Sequence, residues 1–260
     1  MKKKEVIGYI TQWLKSYSNS SKTKGFVIGI SGGIDSALTS TLCAETGKPV
    51  IVLNMPIRQF KREFELSNLH INWLKKNYSN VSSHTVELTS VFDSFEQQLP
   101  EETRDFLSMA NSRSRLRMTT LYAFACHHQL LVAGTGNKVE DFGVGFFTKY
   151  GDGGVDISPI ADLMKSEVYA LAKELNVIEE ILAARPTDGL FADGRTDEDQ
   201  LGASYDELEW AMVNAEVKNT AALSERQKTV LEIYKNLHRK NQHKMQAVPV
   251  CVIPEELRKI

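Results

Sequence analysis

The sequence predicts an α/β protein whose open, mostly parallel sheet is covered by helices on both faces. Short apolar segments typical of buried strands recur through the first half of the chain, and longer segments with apolar residues at helical spacing lie between them. Strands that alternate with helices favour a parallel sheet, because each connection must cross back over the sheet. No linker-like stretch divides the 260 residues, so we expect a single domain over 1–260.

The elements can be assigned in order along the chain. The start, MKKKEVIGYITQWL, has the basic end of a signal peptide, but its apolar residues keep helical spacing, so an amphipathic helix is expected. The predicted strands then cover 25–30, 49–54, 84–88 and 129–135, and the predicted helices cover 35–46, 62–77 and 102–128, the last as one helix or two. Beyond these, 136–160 and 185–200 are predicted to be loops, and 162–175 and 204–241 are predicted to be helical before a short tail.

The composition argues against several classes of protein. The formal net charge is −2, whereas a protein that binds nucleic acid needs a basic face. The three cysteines, Cys43, Cys126 and Cys251, have no CxxC spacing, which favours a reducing compartment over a disulfide framework or a zinc site. No apolar run approaches the ~20 residues that span a bilayer. We therefore expect a cytoplasmic protein with neither a nucleic-acid nor a membrane partner.

A glycine-rich turn, SGGIDS (31–36), joins the first strand to the following helix. Its glycines let the backbone approach a ligand closely, and the helix start adds unpaired N–H donors that suit a pyrophosphate. Asp35 would repel phosphate, so its carboxylate is expected to hold a bridging cation. The turn is neither a GxxxxGK[ST] loop nor a GxGxxG loop. A plain turn capped by Asp35 is the alternative.

SGGIDS matches the SGGxDS loop of the ATP pyrophosphatase superfamily, and other segments narrow the resemblance. NSRSRLRM (111–118), GTGNKVE (134–140), FTKYGDGGVDISPIADLMK (147–165), PTDGL with DEDQLGASYDEL (186–208) and NQHKMQAVP (241–249) resemble ammonia-dependent NAD synthetases. The resemblance covers nearly the whole chain and implies an adenine-nucleotide α-hydrolase-like fold with Rossmann-like layering. It also implies ATP as co-substrate, Mg²⁺ as cofactor and a homodimer. The apolar segment 118–126 is typical of a helix that packs on a partner, although an ordinary buried helix is the alternative.

The resemblance also implies roles for individual residues. Asp35 and Lys165 would be catalytic, and Asp35 and Glu140 would bind Mg²⁺. Contacts to the acid substrate, deamido-NAD, would come from Arg115, Lys149, Asp156, His243 and Lys244, the last two on a tail that closes over the site. Contacts to ATP would come from Gly29, Ile30, Ser31, Gly32, Gly33, Ile34, Asp35, Ser36, Thr135, Lys165 and Thr187. Judged without the resemblance, Glu140 suits a solvated helix start, Arg115 a solvated helix face and Thr135 a cap.

The reaction that the resemblance implies is a ligation in NAD biosynthesis. The nicotinate carboxylate of deamido-NAD would be adenylated by ATP and then amidated by ammonia, with release of pyrophosphate and AMP to give NAD. Free ammonia is the expected donor, because the first strand already begins at Gly25 and no cysteine lies in a nucleophile turn. The segment 140–147 is about one residue longer than the usual spacing, which keeps nicotinate mononucleotide as an alternative substrate. Two further hypotheses are a tRNA thiolase, which would need catalytic cysteines and a basic surface, and a nucleotide-binding sensor that does no chemistry.

Overall fold

The computed structural model describes residues 1–184, 196–217 and 221–258. Within these ranges, four strands form one sheet: β1 (Gly25–Gly29), β2 (Val50–Asn54), β3 (Val81–Thr85) and β4 (Leu130–Val132). Their order is β3-β2-β1-β4, and every neighbouring pair is parallel. The predicted parallel α/β sheet is therefore confirmed. The carboxyl ends of β1 and β4 lie side by side, where the topology places a ligand site.

Helices pack against both faces of this sheet. The first half of the chain contributes α1 (Lys3–Ser20), α2 (Ile34–Glu45), α3 (Lys61–Asn77), α4 (Thr89–Gln98) and α5 (Phe106–His128). On one face, β1 and α2 share a core through Phe26, Ile28 and Leu38. On the other face, Val27 and Leu53 pack with Phe92 of α4 and Met109 of α5. Because side chains alternate along a strand, β1 supplies both cores.

The third strand and its neighbours differ from the prediction. The apolar pattern of 84–88 predicted a strand there, but β3 begins at Val81 and ends at Thr85. β3 is a polar edge strand, and Val86 beyond it still donates a 2.9 Å backbone hydrogen bond to the carbonyl of Asn54. Helix α4 was not predicted. The helical stretch predicted over 102–128 divides into a 3₁₀ turn and α5, which begins where Asp105 accepts a 3.0 Å hydrogen bond from the Ser108 amide.

The second half of the chain is mainly helical. It contains α6 (Lys165–Glu174), α7 (Glu179–Leu182), α8 (Asp197–Leu201), α9 (Tyr205–Val213) and α10 (Glu225–Met245). The predicted loop 136–160 includes a π-helical turn, Val139–Val144, which shares a third core with α9 and α10. The predicted loop 185–200 is described only from residue 196, and α8 occupies its end. No helix in the described ranges is both long and apolar enough to cross a membrane.

Candidate active site

The turn between β1 and α2 is shaped to receive an anion. Gly32 has a φ of 89°, and a Cβ there would lie 3.0 Å from the carbonyl oxygen of Glu63, so this position favours glycine. The Ser36 hydroxyl donates to the Gly33 carbonyl at 2.9 Å and lies 3.1 Å from the Ser31 hydroxyl. The first amide groups of α2 have no acceptor within the helix, and they carry its positive dipole end. Groups of this kind bind phosphate in other proteins.

Beside this turn, Lys165 bridges two carboxylates that lie far from it in the sequence. Its Nζ is 2.6 Å from Oδ2 of Asp35 and 2.9 Å from Oε1 of Glu140. Asp35 is in the first turn of α2, Glu140 is in the π-helical turn that follows β4, and Lys165 begins α6. The lysine side chain is 4% exposed and each carboxylate is 16% exposed. The site therefore holds two negative charges and one positive charge in a nearly dry environment.

Burial and charge shift the three ionisation equilibria in different ways. Burial raises the pKa of Asp35, and the ion pair with Lys165 only partly offsets this. Burial also favours the neutral form of Glu140, but Lys165 and the hydroxyl of Tyr205 outweigh it, so the pKa of Glu140 is lowered. Burial would lower the pKa of Lys165, yet the two carboxylates raise it. Lys165 therefore stays protonated, with its charge between the carboxylates of Asp35 and Glu140.

A second group of predicted residues lies around the end of α10. Lys149 Nζ donates to the backbone carbonyl of His243 at 2.8 Å, and the guanidinium of Arg115 lies 3.4 Å from the carbonyl of Lys149. Lys244 Nζ donates to the carbonyls of Gly145 and, at 2.7 Å, Phe147. His243 and Lys244 were predicted to lie on a tail. The structure places them in the last turn of α10 instead, because the helix continues to Met245. The structure thus brings four of the five residues expected to bind the acid substrate into one region.

Asp156, the fifth, has a different immediate role. Its Oδ2 accepts a 2.8 Å hydrogen bond from the Val132 amide, and its Oδ1 accepts one of 3.1 Å from the hydroxyl of Tyr122. These contacts hold the segment that contains Asp156 against the end of β4. Thr135, three residues beyond Val132, is half-buried. Thr187 lies outside the described residues.

Comparisons with known proteins identify the family. Residues 6–248 match the family model described as NAD synthase. The chain belongs to this family. The NH(3)-dependent NAD(+) synthetase of Mycoplasma genitalium is 39% identical over 227 residues, which cover 86% of this chain and 87% of that protein. The one from Mesoplasma florum is 34% identical over 262 residues and covers 100% of both chains.

Solved structures of similar proteins agree with this NAD synthase assignment. The NMN synthetase from Francisella tularensis superposes with a TM-score of 0.84 at 31% identity, covering 98% of this chain and 99% of that chain. The NH3-dependent NAD synthetase from Campylobacter jejuni superposes with a TM-score of 0.79 at 29% identity, covering 97% and 100%. Because these superpositions cover nearly the whole of each chain, the similarity includes the full α/β architecture.

Two polar residues beside the charged cluster were not predicted from the sequence. Asn137 is fully buried; its Nδ2 donates to Oδ1 of Asp35 at 2.9 Å, and its Oδ1 accepts from the amides of Val139 and Glu140 at 3.1 Å each. Tyr205 donates its hydroxyl to Glu140 at 2.5 Å, and Lys165 Nζ lies 4.5 Å from the centre of its ring. Both residues orient the carboxylates. Asn137 follows β4 closely and could have been found from that position. Tyr205 lies within the matching segment 186–208, but it is distant in sequence from Glu140 and nothing local indicates that its hydroxyl reaches a carboxylate.

Proposed function

We propose that the protein forms NAD by the ATP-dependent amidation of the nicotinate carboxylate of deamido-NAD, with ammonia as nitrogen donor. The observation that carries the proposal is the buried Asp35–Lys165–Glu140 cluster beside the first turn of α2. There the Lys165 ammonium lies beside a helix start, and both are groups that can stabilise a departing pyrophosphate. The names of the similar proteins give NAD or NMN as the product, and those of the NAD synthetases give NH3 as the compound on which they depend.

The chemistry consists of two displacements. A carboxylate oxygen of the substrate attacks the α-phosphorus of ATP, and the bond to pyrophosphate breaks to leave an acyl adenylate. The nitrogen of ammonia then attacks the acyl carbon, AMP leaves with the bonding electrons, and the nitrogen loses a proton to give the amide. No protein nucleophile is required, so the chain's work is to position the reactants and neutralise charge. Lys165 and the first amides of α2 supply that neutralisation.

Mg²⁺ fits the donors of this cluster. Asp35 and Glu140 converge on one cation, the Lys165 ammonium, and hard carboxylate oxygens are the ligands that Mg²⁺ takes. The described residues hold no group of three or more His, Cys, Asp or Glu side chains arranged for a metal. That agrees with an ion that is held by one or two carboxylates together with substrate phosphates. When bound, Mg²⁺ would supply further charge neutralisation at the phosphates; Asp35 and Glu140 would hold it.

The acid substrate is proposed to bind beside the end of α10, near Arg115, Lys149, His243 and Lys244. Arg115 is exposed, and its guanidinium makes two long contacts, each 3.4 Å, to the Lys149 carbonyl, so its fork can still bind a carboxylate or phosphate through two parallel hydrogen bonds. Arg115→Ala should raise KM for deamido-NAD more than KM for ATP, and Arg115→Lys should rescue only part of the loss. A change confined to KM for ATP would assign Arg115 to the nucleotide instead. Thr135 and Thr187 are proposed as ATP contacts and Asp156 as a substrate contact.

The deciding experiment supplies the purified protein with ATP, Mg²⁺, deamido-NAD and either ¹⁵N-ammonium or glutamine labelled in its amide. Label in the product from ammonium, with one AMP and one pyrophosphate per amide, is the expected result. Asp35→Asn, which keeps the shape of the side chain, should abolish turnover while the protein remains folded. Formation of ADP, or label that enters from glutamine alone, would refute the proposal. The same kinetic measurements with nicotinate mononucleotide test the alternative substrate, which the similarity to an NMN synthetase also suggests.

We also propose that the protein is a cytoplasmic homodimer with one domain over 1–260. All three cysteines are unpaired, in keeping with a reducing compartment. Val91, Phe95, Phe106 and Leu107, on α4 and at the start of α5, are exposed apolar side chains near one another in sequence. Exposed apolar side chains that gather into a patch are typical of protein–protein contact surfaces. A monomer mass by light scattering at assay concentration would refute the dimer.

A further inference from the structure

The π-helical turn Val139–Val144 ends in backbone carbonyls that need partners outside the turn. A helix leaves its last carbonyls without intrahelical donors, and buried carbonyls must find donors elsewhere. Gly143, Val144 and Gly145 are all buried, so water is a poor substitute. The turn carries Glu140 near its start, and Lys149 follows its end by five residues. The position of the turn therefore affects both Glu140, in the charged cluster, and Lys149, in the region proposed to bind the acid substrate.

Three side chains from one face of α10 bind these carbonyls in order. His238 Nδ1 lies 2.7 Å from the Gly143 carbonyl, Asn241 Nδ2 donates to the Val144 carbonyl at 2.8 Å, and Lys244 Nζ donates to the Gly145 carbonyl. Residues at spacings of three share a face of an α-helix, so a straight helix can present all three at once. Since a carbonyl only accepts, the His238 ring must carry its proton on Nδ1. We call these three residues the α10 row.

The close packing of the turn against α10 is a second, independent observation of a specific contact between them. Gly145 has a φ of 66°, and a Cβ at this position would lie 2.5 Å from Cβ of Asn241 and 2.7 Å from Cε of Met245. The backbone of the turn thus approaches the helix more closely than any side chain would allow. On the other side, the ring of His238 is stacked on that of Tyr234 with centroids 5.8 Å apart, which fixes its orientation.

We propose that the α10 row positions the π-helical turn, and through it sets where Lys149 lies relative to Glu140. His238 and Asn241 are positioning residues, since neither touches the Asp35–Lys165–Glu140 cluster. The contact between Lys149 Nζ and the His243 carbonyl ties the far end of the segment to the same helix. The kinetic consequence rests on the proposed function: loosening the row should impair use of the acid substrate more than use of ATP.

The test compares His238→Ala with His238→Asn in the full chain. The amide nitrogen of asparagine occupies nearly the same place as Nδ1 of histidine, so His238→Asn should restore the donor that His238→Ala removes. We expect His238→Ala to raise KM for deamido-NAD about fivefold, as the loss of one hydrogen bond implies, with KM for ATP changed less than about twofold. Asn241→Ala should act in the same way and serves if His238→Ala fails to fold. Arg239→Ala, on the exposed side of α10, is the matched control.

Hydrogen exchange gives a readout that does not depend on activity. Peptides that cover 139–150 should exchange faster in His238→Ala and return to the wild-type rate in His238→Asn, while peptides from α2 stay unchanged. Unchanged exchange over 139–150, equal increases in both KM values, or a folded His238→Asn that behaves like His238→Ala would overturn the proposal. A wild-type protein that makes no AMP from ATP, deamido-NAD and ammonia would refute the proposed function instead, and exchange would still decide whether the row holds the turn.

Discussion

Replacing Lys165 by methionine should destabilise the protein strongly when no ligand is bound. Methionine fills a similar volume but carries no charge, so Asp35 and Glu140 would face each other without the cation that now lies 2.6 and 2.9 Å from them. Removal of one partner from a buried ion pair costs about 3–5 kcal/mol, because the remaining charge is buried and uncompensated. For a protein of this size, that corresponds to a fall in Tm of about 6–20 °C.

The assay is thermal unfolding at neutral pH with and without Mg²⁺. If the two carboxylates can hold the ion, Mg²⁺ should restore much of the Tm of Lys165→Met and do less for the wild type. Lys173→Met, on the exposed side of the same helix, should unfold at the wild-type temperature and report any general effect of the substitution. A Lys165→Met protein as stable as the wild type would refute the reasoning about buried charge. Destabilisation that Mg²⁺ does not reverse would count against the metal assignment.

Two further substitutions test the surroundings of the cluster. Tyr205→Phe removes a hydrogen bond that lowers the pKa of Glu140, a contact to a charged group worth about 1.5–3 kcal/mol. Stability from a carboxylate with a lowered pKa is lost as the pH falls through that pKa. Acid unfolding, followed by circular dichroism, should therefore begin at a higher pH in Tyr205→Phe than in the wild type. Acid unfolding at the same pH in both proteins would contradict this. Gly136→Ala places a methyl group onto the carboxylate of Asp141 and should cost about 1–3 kcal/mol in denaturant unfolding. Gly8→Ala, where nothing lies within 4 Å, is its control and should be neutral or slightly stabilising.

The sequence predicted those parts of the fold in which apolar pattern and burial coincide. β1 and β2 are almost wholly buried, and their apolar runs place them within one residue of the structure at each end. β3 was displaced by three residues because its sequence, VSSHT, is polar at an edge and its position is set by pairing with β2. The π-helical turn was predicted as loop because the stretch 136–160 around it is rich in glycine, whereas side chains of α10 bind the carbonyls at its end. Pairing and tertiary contact override local propensity in both cases.

Local sequence patterns likewise predicted only part of the candidate site. The turn 31–36 combines a strand, two glycines and a helix start in one short segment, so local chemistry was enough to predict it. The resemblance suggested roles for Lys165 and Glu140, but only the fold brings them to Asp35. Tyr205 could not be found, since a tyrosine in a capped helix resembles an ordinary core residue until its hydroxyl is seen to reach a carboxylate. Sequence reasoning detects contiguous sites well and assembled ones poorly.

The way the cluster is assembled has a consequence for how the chain reaches its native state. Asp35 and Lys165 are separated by 130 residues, and Asp35 and Asn137 by 102, so the cluster can form only after the parallel crossovers that carry β4 and α6 are complete. Contacts of such high sequence separation form late and slow the folding rate. A nucleotide that needs the whole cluster should therefore leave the refolding rate almost unchanged. It should instead retard unfolding, and so lengthen the lifetime of the folded enzyme.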